Sequence, residues 1–257
     1  AYDDAGKGPL VVMVPGLGDL RAEYRFLAPR LVEAGYRVVT VDLRGHGQSS
    51  TGWSDYTSSA IGTDVLALVD ELDAGPAMLV GTSMGAGAVA WAAAEAPEKV
   101  SSTVLIGPFV REVPPSSWFA GVAQKAMIKV ALWGPWAGWA WGQAYASFHG
   151  EKPADFEAYR AALVENLKED GRLDAVRGMI AAEKKDVEAR LDEVKAPVLV
   201  VMGTKDPDFA DPKAEADTVA RLLNGRVTMV EGAGHYPHVE QPDAVAAAIR
   251  AFAGGEG

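Results

Sequence analysis

A chain of 257 residues, 49% of them apolar, is long enough for one large α/β domain with a substantial core and too short for two ordinary domains and a linker. Its formal net charge of −11 speaks against nucleic acid and anionic membranes as partners, because phosphate binding needs a basic face, and the absence of cysteine excludes disulfides, thiolate metal sites and a cysteine nucleophile. No apolar run reaches the ~20 residues of a membrane span and no signal peptide precedes Ala1, so a cytoplasmic protein is expected, with a native N-terminal segment expected to be missing ahead of Ala1-Tyr2-Asp3-Asp4.

Pro9 to Pro15 is a continuous apolar run, the mark of a strand covered on both faces. Gly16-Leu17-Gly18-Asp19 breaks it, a helical stretch follows from about Ala22 to Ala34, and Arg37 to Leu43 is the next apolar strand. This βαβ alternation predicts a mostly parallel sheet with right-handed crossovers. Gly16 and Gly18 let the backbone approach a ligand closely; read as a dinucleotide loop, the pair lacks the third glycine and the helix phase. Asp42-Leu43-Arg44-Gly45-His46-Gly47-Gln48-Ser49-Ser50 is a glycine-punctuated turn in which His46 reads as a packed or hydrogen-bonded turn residue. Thr57 to Leu72 carries Ile61, Val65, Leu68, Val69 and Leu72 at helical spacing.

Met78-Leu79-Val80-Gly81-Thr82-Ser83-Met84-Gly85-Ala86-Gly87-Ala88 is the stretch around which the chemistry is organised. Apolar residues run into a Gly-x-Ser-x-Gly pentad and then into an alanine-rich helix, the pattern of a nucleophile elbow. The tight turn strains its central residue, and side chains at positions 81 and 85 would collide across it. Ser83 is thereby lifted above the sheet edge, at a helix N-terminus that favours developing negative charge.

Val100 to Ile106 is a further strand, after which the pattern changes. Between Arg111 and Asp192 only helical stretches appear, and five of the seven tryptophans (118, 133, 136, 139 and 141) fall in one 24-residue window. An all-helical insertion of this kind reads as a lid. Each tryptophan on its own is expected to serve the core of that insertion, with at least one touching a substrate cavity. The sheet resumes with Pro197 to Gly203, a helix over Lys213 to Leu223, a short strand over Arg226 to Val230 and a closing helix over Asp243 to Phe252.

A serine hydroxyl needs a positioned base, and histidine titrates where it is useful. Of the four histidines, His235 stands in a loop between the last strand and the last helix, at the carboxyl edge where a doubly wound fold collects ligands. Asp206, in the loop after the preceding strand, is the carboxylate to orient it, with Asp208 and Asp211 as competitors. The order Ser83, Asp206, His235 is the one expected of an elbow nucleophile, and the backbone N–H groups of Met84 and Leu17 are the expected oxyanion donors. His235 and His238, read as a metal pair, lack a third ligand; no metal is expected. Pro237 starts a helix, leaving His238 either packed near the base or facing solvent.

Four segments together resemble the α/β-hydrolase superfamily: Pro15-Gly16-Leu17-Gly18, the turn from Asp42 to Ser49, Gly81-Thr82-Ser83-Met84-Gly85, and Gly234-His235-Tyr236-Pro237-His238-Val239-Glu240-Gln241-Pro242. The resemblance runs from about Gly8 to the C-terminal helix. It implies an α/β-hydrolase fold with a core domain of residues 1–108 and 193–257, a helical lid over 109–192, a Ser83–Asp206–His235 triad, an oxyanion hole at Leu17 and Met84, and no cofactor. Two departures stand out. Many relatives have His-Gly in place of Pro15-Gly16, which alters the surroundings of the hole and not its backbone donors. They also begin with an antiparallel hairpin of which only a tail, about Ala1 to Asp4, is expected here, leaving the sheet without an edge strand or with an exposed edge.

The expected function is a serine hydrolase cleaving small, largely apolar esters, lactones or thioesters through an acyl-enzyme, the serine arguing against branches with a carboxylate nucleophile. The alternative is a small-molecule receptor or signalling partner with slow or single turnover on the same fold. Acyl transfer or perhydrolysis would share the same residues. Oligomeric state is open.

Overall fold

The computed structural model describes residues 1–112 and 126–255. Seven strands form one sheet: β1 (Tyr2–Ala5), β2 (Leu10–Val14), β3 (Arg37–Val41), β4 (Ala77–Thr82), β5 (Val100–Ile106), β6 (Val198–Gly203) and β7 (Arg226–Val230), in the spatial order β1-β3-β2-β4-β5-β6-β7. All pairings are parallel except β1 with β3, where Tyr2 faces Val41 and Ala5 faces Val38. The edge strand is therefore present, and the edge it leaves is exposed along its whole length. Acidic Asp3 and Asp4 on that edge pair with Arg21 and Arg37, and such charges discourage edge-to-edge association.

The continuous apolar runs follow from burial on both faces. In β2, Leu10, Val12 and Val14 point to one side and Val11 and Met13 to the other, and each set joins a different core. The first side is covered by α2 (Ser58–Leu72), α3 (Met84–Glu95) and α9 (Pro212–Leu222), the second by α1 (Leu27–Glu33) and α11 (Pro242–Ala253). Thr57 caps α2 by accepting the Ala60 N–H at 3.2 Å, so the helix proper starts one residue after the stretch read from the sequence. The single helix expected over 22–34 is instead a 3₁₀ turn (Arg21–Tyr24) followed by α1.

Between β5 and β6 the chain carries α4 (126–132), α5 (Ala137–Ser147), α6 (Phe156–Asn166), α7 (Arg172–Ala181) and the short α8 (Lys185–Glu188); α10 (Pro237–Glu240) precedes α11. Because β2, β4, β5, β6 and β7 run the same way, the loops that follow them open along one rim of the sheet. The segments bearing Leu17, Ser83, Gly107, Asp206 and His235 all leave the sheet there.

Candidate active site

Ser83 joins β4 to α3 with φ 54° and ψ −116°, a backbone conformation that a side-chain-bearing residue adopts only under constraint. The constraint is steric and mutual. A Cβ on Gly81 would lie 2.4 Å from the Gly85 carbonyl oxygen, and one on Gly85 would lie 2.3 Å from that of Val14. The Ser83 N–H donates to the Ile106 carbonyl at 2.8 Å and its carbonyl accepts from Phe109 N–H at 3.2 Å, so the turn is fastened to the end of β5.

His235 and Asp206 are both buried. The Nδ1–H of His235 donates to Asp206 Oδ2 at 2.8 Å, and the other carboxylate oxygen accepts the Asp208 N–H at 3.0 Å. Asp208 itself stands 3.5 Å from Nδ1, whereas Asp211 caps α9, accepting the Ala214 N–H at 3.0 Å. Of the three carboxylates weighed in the sequence, only Asp206 is hydrogen-bonded to the imidazole. The His235 N–H donates to the Phe148 carbonyl at 2.7 Å, and the Phe109 and Phe148 rings lie 6.1 and 5.7 Å from the imidazole. Burial alone would push the imidazole's pKa down; the facing Asp206 carboxylate overrides it and holds the ring up at about 9.

Ser83 and His235 line one cavity of about 610 Å³, with Leu17, Met84, Trp141 and Met179 among its other walls. No hydrogen bond joins Ser83 Oγ to His235 among those described, and such bonds are often loose without substrate. Leu17 and Met84, the expected oxyanion donors, border the cavity beside Ser83. Asp206, Asp208 and His235 are the only trio of potential metal-ligand side chains within 4.8 Å of one another among the described residues, and Asp206 Oδ2 and His235 Nδ1 are spent on each other. His238 points elsewhere. It is buried, with Nε2 2.8 Å from Glu23 Oε1 but out of line for a hydrogen bond, so the two histidines do not form a joint site.

The tryptophans divide unexpectedly. Trp141 borders the cavity; Trp133, Trp136 and Trp139 are 53%, 50% and 66% exposed and so serve neither core nor cavity. Trp118 lies outside the described residues.

Three residues near the site were not among the candidates read from the sequence. Gly107, with φ +50°, ends β5, and a Cβ there would lie 2.8 Å from His235 Cε1 and 3.2 Å from Asp206 Oδ2. Glu23 and Asp19 are fully buried acids behind the Gly16–Gly18 loop. Asp19 accepts from Tyr236 Oη at 2.7 Å and Tyr159 Oη at 3.1 Å. Burial and the neighbouring Glu23 push the Asp19 carboxyl well above the usual range, and burial raises Glu23 to about 7. Of the three, only Gly107 carries a signal in the sequence, a glycine that directly follows the Val100–Ile106 strand at the rim.

Among the described residues no helix is long and apolar enough to cross a membrane. Residues 11–248 match the pattern of the "Alpha/beta hydrolase family". The chain is 30% identical, over 98% of its length and 96% of the relative's, to a Mycobacterium tuberculosis H37Rv protein named "Putative non-heme bromoperoxidase BpoC". It is 28% identical to the 3-oxoadipate enol-lactonase 2 of Acinetobacter baylyi, over 84% of this chain and 78% of that one. It is also 28% identical to a pimeloyl-[acyl-carrier protein] methyl ester esterase of Neisseria meningitidis, over 95% of this chain and 93% of that one. The BpoC crystal structure superposes with a TM-score of 0.78 at 28% identity, covering 99% of this chain and 95% of the other. A seven-stranded, mostly parallel sheet with a strained serine at the end of a central strand, and sequence agreement over nearly the whole length, make this chain a member of the alpha/beta hydrolase family.

Proposed function

We propose that the protein is a serine hydrolase that cleaves small, largely apolar carboxylic esters or lactones through an acyl-enzyme. The observation that carries this reading is the buried Asp206–His235 hydrogen bond opening onto the same apolar cavity as the strained Ser83. Relatives named an enol-lactonase and a methyl ester esterase support it.

Asp206 holds Nδ1–H, which leaves Nε2 as the basic nitrogen of the neutral ring. Nε2 takes the Ser83 proton as Oγ attacks the carbonyl carbon, and the imidazolium then gives that proton to the departing alkoxide. Water repeats the sequence in reverse, releasing the acid and restoring Ser83. The oxyanion of each tetrahedral intermediate is received by the N–H groups of Leu17 and Met84, donors of a kind whose individual loss costs about 10²–10³ in rate. The helical insertion over 109–192 acts as a lid on a core of residues 1–108 and 193–257, supplying the apolar wall for the acyl group.

Ser83→Ala is expected to abolish turnover of p-nitrophenyl butyrate and labelling by a fluorophosphonate while leaving the circular dichroism spectrum intact. Persistent labelling of that variant would overturn the assignment. A single burst without steady turnover would favour a receptor.

A further inference from the structure

The loop that carries Leu17 is held from both sides by side chains remote in sequence. Gly16 N–H donates to Glu23 Oε2 at 2.8 Å, and Gly18 N–H donates to His46 Nε2 at 3.2 Å; both bonds are buried. Asp19 N–H turns back onto the Gly16 carbonyl at 3.2 Å. The amides on either side of Leu17 are thus committed, and Leu17's own N–H has no partner among the described hydrogen bonds.

The His46 ring is suited to this task in only one form. Its Nδ1 lies 3.1 Å from the Arg44 carbonyl, which can only accept, so the proton sits on Nδ1 and Nε2 presents a lone pair to Gly18. Burial keeps the ring neutral, with a pKa down at about 4. The turn bearing His46 is braced in its own right. Asp42 accepts the backbone N–H of Arg21 at 2.8 Å and of Gln48 at 2.9 Å, and Ser49 Oγ donates to the Asp42 carbonyl at 2.7 Å. A Cβ on Gly47 would lie 2.1 Å from the Asp42 carboxyl carbon, so the turn closes only with glycine there.

We propose that Glu23 and His46 are positioning residues for the oxyanion hole, clamping the peptides on either side of Leu17 so that its N–H is aimed at the cavity before substrate arrives. A backbone donor stabilises a developing oxyanion only if it is already oriented; one that must turn at the moment of reaction spends its contribution on that reorganisation. This inference rests on reading Ser83 as the nucleophile and Leu17 N–H as an oxyanion donor. It goes beyond that reading in giving a task to the glycine-punctuated turn, which is remote from the triad in sequence.

The test compares His46→Leu, which removes the acceptor, with His46→Gln, whose side-chain oxygen can accept from Gly18, and Glu23→Met with Glu23→Gln on the other flank. Steady-state kinetics on p-nitrophenyl butyrate and the rate of fluorophosphonate labelling are measured on each, normalised to titrated active sites so that unfolded protein does not count. For the Leu and Met variants, kcat and the labelling rate are expected to fall together by about 10- to 100-fold, with KM changed by less than about twofold. The Gln variants should recover most of the loss. Equal impairment of Gln and Leu at position 46, or a loss expressed in KM, would overturn the positioning role. If Ser83→Ala still labels, the nucleophile assignment has failed instead; if it does not label while His46→Leu and Glu23→Met both work at full rate, only the clamp has failed.

Discussion

At His235 two effects of comparable kind oppose each other: burial disfavours the imidazolium, and the Asp206 carboxylate 2.8 Å away favours it. With the ring held at about 9, the neutral imidazole that the proposed mechanism requires becomes more abundant as pH rises, so kcat/KM for a neutral ester is expected to climb through neutrality, reach half its maximum near pH 9 and level off above that. The same shift stabilises the fold below the unfolded pKa of about 6.5, a contribution lost as pH rises through about 9. Asp206→Asn should move the midpoint of the rate profile downward and lower kcat by about 10³–10⁴; a pH–rate profile of both proteins decides it, and an unmoved midpoint would deny Asp206 its part. Gly107 offers a finer probe. Gly107→Ala places a methyl group 2.8 Å from His235 Cε1, too close for the ring to stay where it is. If His235 is the base proposed above, displacing its ring by a fraction of an ångström is expected to cut kcat on p-nitrophenyl butyrate by about 10- to 100-fold, with the circular dichroism spectrum unchanged. Undiminished kcat would show that the Asp206–His235 pair tolerates movement.

Among the elements, strands framed by turns were legible from the chain. Val100–Ile106, buried at all but Ser101, and Arg226–Val230, a partly exposed edge strand, both coincide with their expected bounds, because a short β-rich run between turns has few alternatives. β1 was expected only through the family resemblance, as a hairpin tail of about Ala1 to Asp4: Tyr2–Ala5 is short, exposed and half acidic, and only its pairing with β3 makes it a strand. That Ser83, Asp206 and His235 come together was legible because loop position after a strand maps onto one rim of a parallel sheet. Glu23 and Asp19 were not, since an acid in a helical stretch or in a loop looks solvated and its burial is decided by tertiary packing alone. The same limit applied to the tryptophans, whose window signalled an apolar insertion but not which rings face in. The inner wall built by that insertion gives a prediction of its own. Ala144 on α5 and Met179 on α7 line the cavity, and a buried methylene is worth ~0.8 kcal/mol, about fourfold in kcat/KM. Ala144→Phe should therefore shorten the preferred acyl chain, leaving p-nitrophenyl acetate within about twofold while removing roughly that factor for each added methylene on the octanoate. A parallel change on both esters would place the acyl group elsewhere.

Across the whole molecule, three of the four histidines are kept neutral by burial. His46 and His149 are held down at about 4 and His238 at about 3, against about 6.5 in the unfolded chain. As pH falls below 6.5 the unfolded chain takes up protons at these positions while the folded one does not, so each draws the equilibrium toward unfolding until its folded pKa is reached. Buried Glu23 works in the opposite sense. Its carboxyl is raised to about 7, so the folded state binds its proton first, and stability from that group is gained as pH falls from about 7 toward its unfolded value. The net acid slope is thus a sum of opposed terms, but a single histidine can be isolated by difference. For the unfolding free energy followed by urea denaturation between pH 6.5 and 4.5, His46→Gln should be less pH-dependent than the parent protein by ~1 kcal/mol per pH unit, somewhat under the ~1.4 of a whole proton because each state is partly protonated at one end of the window. His238→Gln should behave alike, apart from any change it induces in adjacent Glu23. The slope, unlike the absolute stability, is insensitive to packing lost in the substitution. A parent slope retained in His46→Gln would mean that the ring is already protonated within the fold, and with it that Nε2 cannot be accepting the Gly18 N–H.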